Sequence, residues 1–476
     1  MNELWKLSAT ELADRFDQGD LRPDDVLEAC LARIASVQPS LNAFTHVALE
    51  SSRAAAEASR KRQLQGRRLG RLDGIPVSVK DNLYVAEMPA TWGSRLFEAF
   101  VPARDDIPVD RLRRQGAVIL GKTNTPEFAL AGRTENLLYG LTRNPWNPLL
   151  NPGGSSGGAV AGIAAGCCPL ALATDAGGSG RLPASFTGVA GMRPSTGKIP
   201  RRYGFPPLAP DFQVIAPIAR SAQDLQLLLD SIKGPDFRDP LSSRLPPPGN
   251  ARDPSQIRIR VATRIDEYDG PGGEQVSVDS TVRSHVEAAA QTLRELGYCV
   301  NEAAVPYDLQ EVREVWRTLS SVGVARVLAD FPGRSGEVSQ SIAAAAQMGS
   351  KVSGVDYVRA LDRLGTIRNS VSDHWTDYDV LLTPTAAAPA FPVELPHPHE
   401  IAGRPATTLS MSIFTTWVNA CGLPALSIPV SPHPDGRPIG MQLVGRFGAD
   451  EELIAIARHF EAAQPWGQRW PLEDGK

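Results

Sequence analysis

Charge of one sign is lacking. Lys and Arg number 49 against 53 Asp and Glu, a net charge of −4 with pI near 6.0. Without a basic excess, nucleic acid and anionic membrane surfaces drop out as partners. Cysteine is scarce. The five (Cys30, Cys167, Cys168, Cys299, Cys421) are odd in number and show no metal-ligand spacing. That excludes a disulfide scaffold and a zinc site, and predicts reduced thiols in the cytoplasm. A long hydrophobic run is also missing. The longest uncharged stretch, residues 144–174, is broken by Pro145, Pro148 and Pro152. Its small-apolar part, 159–173, is 15 residues, against about 20 for a bilayer span. The first nine residues lack a charged-then-apolar signal pattern. No membrane segment is expected. Disorder is excluded too, with 42% hydrophobic and 21% charged residues.

What is present is an α/β pattern. Ser8 with Glu11 forms a capping box ahead of Leu12 and Phe16. Helical spacing continues through 24–37 and 48–63, so residues 1–65 read as N-terminal helices. Ile75, Val77 and Val79 then alternate as a strand ending at Lys80. Further strands are predicted at 117–120, 170–174, 380–382, 426–430 and 440–444. Helices are predicted at 282–296, 309–329, 355–375 and 451–462. Alternation of this kind argues a sheet buried between helices. Residues 234–256, rich in proline, read as a surface loop.

One segment is unusual. Residues 151–200 hold 12 glycines and only four charged side chains, Asp175, Arg181, Arg193 and Lys198. Average usage would give about 4 glycines. Dense glycine means backbone in unusual φ/ψ or in close approach to something else. Three strings here and nearby fail on context. Gly116, Gly121, Lys122 and Thr123 fit a phosphate loop, but the interior is the strand-former run Ala-Val-Ile-Leu, and Pro126 follows where a helix should begin. Ser155 fits G-x-S-x-G, yet a proline-rich loop precedes it instead of a strand. None of His285, His374, His397, His399, His433 or His459 has a persuasive context as its partner. Ser195 and Lys198 fit S-x-x-K without any companion motif.

A fourth constellation is specific because several blocks occur in order. Gly74-Ile-Pro-Val-Ser-Val-Lys80-Asp81-Asn82 is followed by Gly121-Lys-Thr-Asn124. Pro152-Gly-Gly-Ser155-Ser-Gly-Gly158 and Thr174-Asp175-Ala-Gly-Gly-Ser179-Gly-Arg181 come next. This combination resembles the amidase signature family, densely over 70–200 and more thinly to the C-terminus. The resemblance implies one α/β/α domain over 1–476, a large mixed twisted sheet with helices on both faces, its remainder supplied by 257–476. It implies amide hydrolysis without metal or cofactor, with Lys80 as base, Ser155 as a bridging serine after a cis bond from Gly154, and Ser179 as nucleophile. The backbone N–H groups of Ala176, Gly177, Gly178 and Ser179 would bind the oxyanion. Ala129 would border the substrate, and Asp175 and Arg181 would hold the loop. Gly180 departs from the family's large aliphatic residue and is expected to alter the pocket. The substrate is a small amide, and a homodimer is compatible with the small net charge. Two other functions stay open: the glutaminase (A) subunit of a tRNA-dependent amidotransferase, and an idle scaffold of the same fold.

The residue types suit the chemistry. A serine hydroxyl needs a base within hydrogen-bond reach. A lysine serves only when neutral, which near pH 7 needs a pKa depressed by about 3 from 10.4, near 4 kcal/mol. Low-charge, glycine-rich surroundings supply the desolvation that does this.

Overall fold

Ser8 opens the first helix as its sequence suggests. Its hydroxyl accepts from the Glu11 N–H, and the Glu11 carboxylate accepts from the Ser8 N–H. Gly19, with φ 78°, closes this helix, α1 (Ala9–Gln18). The computed structural model describes residues 3–243, 245, 252–265, 269–270, 274–275 and 277–471. Helices α2 (Pro23–Leu41) and α3 (Leu49–Leu64) follow. Between them the reading of 1–65 as helices needs correction, because Phe44–Val47 is a strand, β1. Asn42 stops α2 in the left-handed conformation (φ 50°), and the aromatic and β-branched run then pairs antiparallel with the edge of the sheet.

The sheet has 11 strands. After β1 come β2 (Pro76–Lys80), β3 (Val118–Thr123), β4 (Leu170–Asp175), β5 (Ala190–Arg193), β6 (Val214–Ala219), β7 (Arg258–Val261), β8 (Cys299–Glu302), β9 (Val380–Pro384), β10 (Ala425–Pro429) and β11 (Gly440–Gly445). In space the order is β1-β3-β2-β4-β6-β5-β10-β11-β9-β7-β8. β3, β2 and β4 run parallel, as do β9, β7 and β8, while the strands between pair antiparallel. This is the mixed α/β sheet of a single domain. β2, β4, β5, β6, β9, β10 and β11 are buried at every position. Since side chains alternate between faces, both faces are covered.

The covering helices are α4 (Ile107–Arg114), α5 (Gly157–Ala164), α6 (Arg181–Thr187), α7 (Ala222–Ile232), α8 (Ser280–Glu295), α9 (Leu309–Ala329), α10 (Gln340–Gly349), α11 (Gly354–Asp373), α12 (Thr416–Cys421) and α13 (Asp450–Ala463). A continuous apolar core reaches from Ala9 in α1 to Trp466 beyond α13. In the loop read at 234–256, Arg111 donates to the carbonyls of Ile232, Lys233 and Gly234 and ties down the start. Pro246, Pro247 and Pro248 lie outside the described residues.

Candidate active site

The site forms where β2 and β4 end side by side. These neighbours pair in parallel, Val79 opposite Leu172, so Lys80 and Thr174 emerge at the same edge. Two glycine-rich loops meet there. One carries Ser155 and Ser156 into α5, and the peptide bond Gly154–Ser155 is cis. The other carries Asp175 to Gly180 into α6. A Cβ on Gly154 would collide with the Ala131 carbonyl, so only glycine lets the two segments touch.

Lys80 is fully buried. Its Nζ lies 2.7 Å from Ser155 Oγ, 3.0 Å from Ser156 Oγ and 3.3 Å from Thr174 Oγ1. Burial pulls its pKa down to about 7, while the Asp175 charge opposes that shift. Ser156 donates to the Thr174 carbonyl at 3.3 Å, and Asn82 Nδ2 donates to Thr174 Oγ1 at 2.9 Å. Ser156, Thr174 and Asn82 were not singled out from the sequence. The only sequence signal for them is that they flank Ser155, Asp175 and Lys80.

Ser179 is half-buried, as are Ala176 and Gly177. Among the described residues its hydroxyl makes no hydrogen bond, so the structure joins Lys80 to Ser155 and leaves Ser179 unlinked. The strip holding it is rigidly fixed. Arg181, buried, donates from Nε and Nη2 to the two Asp175 carboxylate oxygens at 3.0 and 2.9 Å. Asn419 Nδ2 adds a bond to Asp175 Oδ1 at 2.9 Å and accepts from Arg181 through its own oxygen at 2.6 Å. Burial would raise the Asp175 carboxyl, but the Arg181 charge and these donors hold it well below the usual carboxylate range. Thr415 and Thr416 hydroxyls donate to the Gly177 carbonyl at 2.8 and 3.2 Å. Asn419, Thr415 and Thr416 sit far along the chain, and no local pattern marks them.

One expectation is corrected. The Gly178 N–H donates to Asp175 Oδ1 at 2.8 Å, so it is not free for an oxyanion. The reason is its backbone: φ is +117°, and a Cβ there would strike Thr415. Gly180 packs against β6. A Cβ on it would lie 2.9 Å from Ala216 Cβ in β6, and its N–H donates to Asp175 Oδ2 at 3.0 Å. Ala129 is half-buried, left-handed at φ 55° after Phe128 at φ 54°, just before the segment that abuts Gly154.

The rejected strings have structural work. Lys122 is a buried residue of β3 whose amine donates to the Leu83 and Pro89 carbonyls at 2.7 and 3.1 Å. Ser195 binds Asp450 at the start of α13 through N and Oγ, and Lys198 pairs with Glu451 at 2.7 Å. The rings of His285, His374 and His397 bond backbone carbonyls, and those of His433 and His459 bond Asp435 and Tyr298. Among the described residues no three His, Cys, Asp or Glu side chains come together in a way that could hold a metal ion.

Comparison with known proteins decides the family. The amidase family model matches residues 25–454. The chain belongs to the amidase signature family. This amidase is 35% identical over 482 residues to the acylamidase of Rhodococcus erythropolis, covering 98% of this chain and 97% of the relative. It is 34% identical over 481 residues to the glutamyl-tRNA(Gln) amidotransferase (A) subunit of Symbiobacterium thermophilum, with 95% of each covered. Its fold matches the structure of 6-aminohexanoate cyclic dimer hydrolase complexed with substrate at TM-score 0.85 and 28% identity, over 99% of both chains. It is therefore a hydrolase of carbon–nitrogen bonds. No helix among the described residues is long and apolar enough to cross a membrane.

Proposed function

We propose that this amidase hydrolyses a small uncharged amide through an acyl-enzyme on Ser179, with Ser155 and Lys80 as the proton relay. One observation carries this reading: a fully buried lysine, drawn down to about pKa 7, sits 2.7 Å from the hydroxyl of the serine that follows the cis bond. A neutral amine has two N–H donors and one lone pair. Ser156 and Thr174 take the donors, and the lone pair faces the Ser155 hydroxyl. Lys80 accepts the Ser155 proton, and Ser155 accepts that of Ser179. Ser179 Oγ then bonds to the amide carbon. The negative oxygen is met by N–H groups of Ala176, Gly177 and Ser179. As the C–N bond breaks, Ser155 returns a proton to the departing amine and regains one from Lys80. Water, deprotonated by the same relay, cleaves the ester and frees the acid. The Ser179 hydroxyl joins the relay in the substrate complex, since catalytic hydrogen bonds commonly tighten once substrate is bound.

A free-standing acylamidase is favoured over a glutaminase subunit by the charges on the strip. Asp175 and Arg181 satisfy each other, so neither is free for the ammonium or carboxylate of glutamine. The unpaired Cys30, Cys167, Cys168, Cys299 and Cys421 fit a reducing cytoplasm. The test is ammonia release from aliphatic, aromatic and glutamine amides by wild type, Ser179→Ala and Lys80→Ala. Turnover of uncharged amides that vanishes in both variants is expected. Turnover of glutamine alone would favour the subunit reading. Undiminished turnover in Ser179→Ala would end the mechanism.

A further inference from the structure

Beside the nucleophile strip stands a large side chain that the chemistry above does not use. A Cβ on Gly177 would lie 3.9 Å from Cζ2 and Cη2 of Trp316 and 3.6 Å from Thr416 Oγ1. The benzo edge of this indole therefore borders the strip. Trp316 comes from α9 and packs against Phe212, ring centroids 5.4 Å apart. Its neighbours along α9, Val312, Val315 and Leu319, are buried, yet Trp316 is only half-buried. Its ring packs against the same core cluster as these neighbours and borders the strip on its other side. Trp316 and the strip residues Ala176, Gly177 and Ser179 are all half-buried.

The proposed cycle gives the face a direction. In the proposed cycle the amine leaves on the Ser155 side, and the carbonyl oxygen turns to the strip's N–H groups. The acyl substituent takes the third direction, past Gly177. We propose that Trp316 is the specificity wall for the acyl part of the substrate, selecting amides of aromatic or other flat apolar acids over short aliphatic ones. Ring-on-ring contact and area burial give the preference, and neither strip charge is available to hold a charged acyl group. This rests on Ser179 being the nucleophile.

The test varies the acyl group while ammonia stays the leaving group: phenylacetamide and benzamide against propionamide, with acetanilide carrying its ring on the amine side. Trp316→Ala should lower kcat/KM for phenylacetamide by about tenfold or more, chiefly through KM, and leave propionamide within about threefold. Trp316→Phe should retain most of the preference. Equal loss for every amide, loss confined to acetanilide, or no loss would overturn the assignment. A binding readout separates this from the reading of the nucleophile. In Ser179→Ala, phenylacetamide should quench tryptophan emission, and the quench should fall sharply when Trp316→Phe is added. An unaltered quench would refute the wall even if Ser179 proves to be the nucleophile. Turnover that persists in Ser179→Ala would refute the nucleophile while the quench still judges the wall.

Discussion

Acidification should silence this amidase through one side chain. Lys80 has its pKa drawn from 10.5 to about 7 by burial. At pH 8 about nine-tenths of the enzyme then holds the neutral amine, and at pH 6 about one-tenth. For an uncharged amide, kcat/KM should therefore fall about tenfold between those pH values, approaching tenfold per pH unit further down, and level off above 8. The same shift appears in stability. The unfolded chain keeps this proton up to about pH 10.5, the folded one only to about 7. Between those values the unfolded state binds more protons, so stability rises with pH across that window. Below pH 7 the full penalty applies, at most about 5 kcal/mol at 1.36 kcal/mol per pH unit. Lys80→Met removes it. Ammonia release from pH 5.5 to 9 measures the first effect. Urea unfolding of wild type and Lys80→Met at pH 6 and pH 10 measures the second, with the variant's advantage shrinking by several kcal/mol at the higher pH. A flat rate profile, or an inflection near 10, would refute the neutral-base argument. Lys122, also buried and drawn down to about 8, is the control: Lys122→Met should keep the inflection near 7.

Other outcomes follow from the same geometry. Ser155→Ala should lower kcat by about 10²–10⁴ with little change in KM, since it interrupts proton transfer and not binding; steady-state kinetics check this. Arg181→Ala leaves the Asp175 carboxylate buried without its ion pair, so urea unfolding should register a loss of about 3–5 kcal/mol. Ser195→Ala breaks the tie to Asp450 and should cost about 1–3 kcal/mol of stability with kcat unchanged. A large fall in kcat would instead bring the S-x-x-K string back as chemistry.

Local chemistry was readable where one residue or one period controls the outcome. The capping box at Ser8, the strand ending at Lys80 and the helix over Leu309–Ala329 all needed only neighbours in sequence. The glycine-dense segment marked the site because close approach leaves a compositional trace. β1, β5, β6, β7 and β8 were not predicted. β6 even contains Pro217 opposite Leu172, and proline in a central strand argues against such an assignment. Residues joined only by folding were equally hidden. Asn419 reaches Asp175 across 244 positions, and Trp316 borders Gly177 from α9. The N–H of Gly178 looked free in the motif because nothing in the string shows the Asp175 carboxylate turning back on it.

The most direct test is to trap the acyl-enzyme. Wild type would be mixed with a p-nitrophenyl ester whose acyl group hydrolyses slowly, quenched in acid within the burst, and digested for mass spectrometry. A burst of nitrophenol with the acyl mass on the peptide containing Ser179, absent in Ser179→Ala, is the predicted result. An adduct on Ser155, or turnover with no adduct and an unaltered rate in Ser179→Ala, would contradict it.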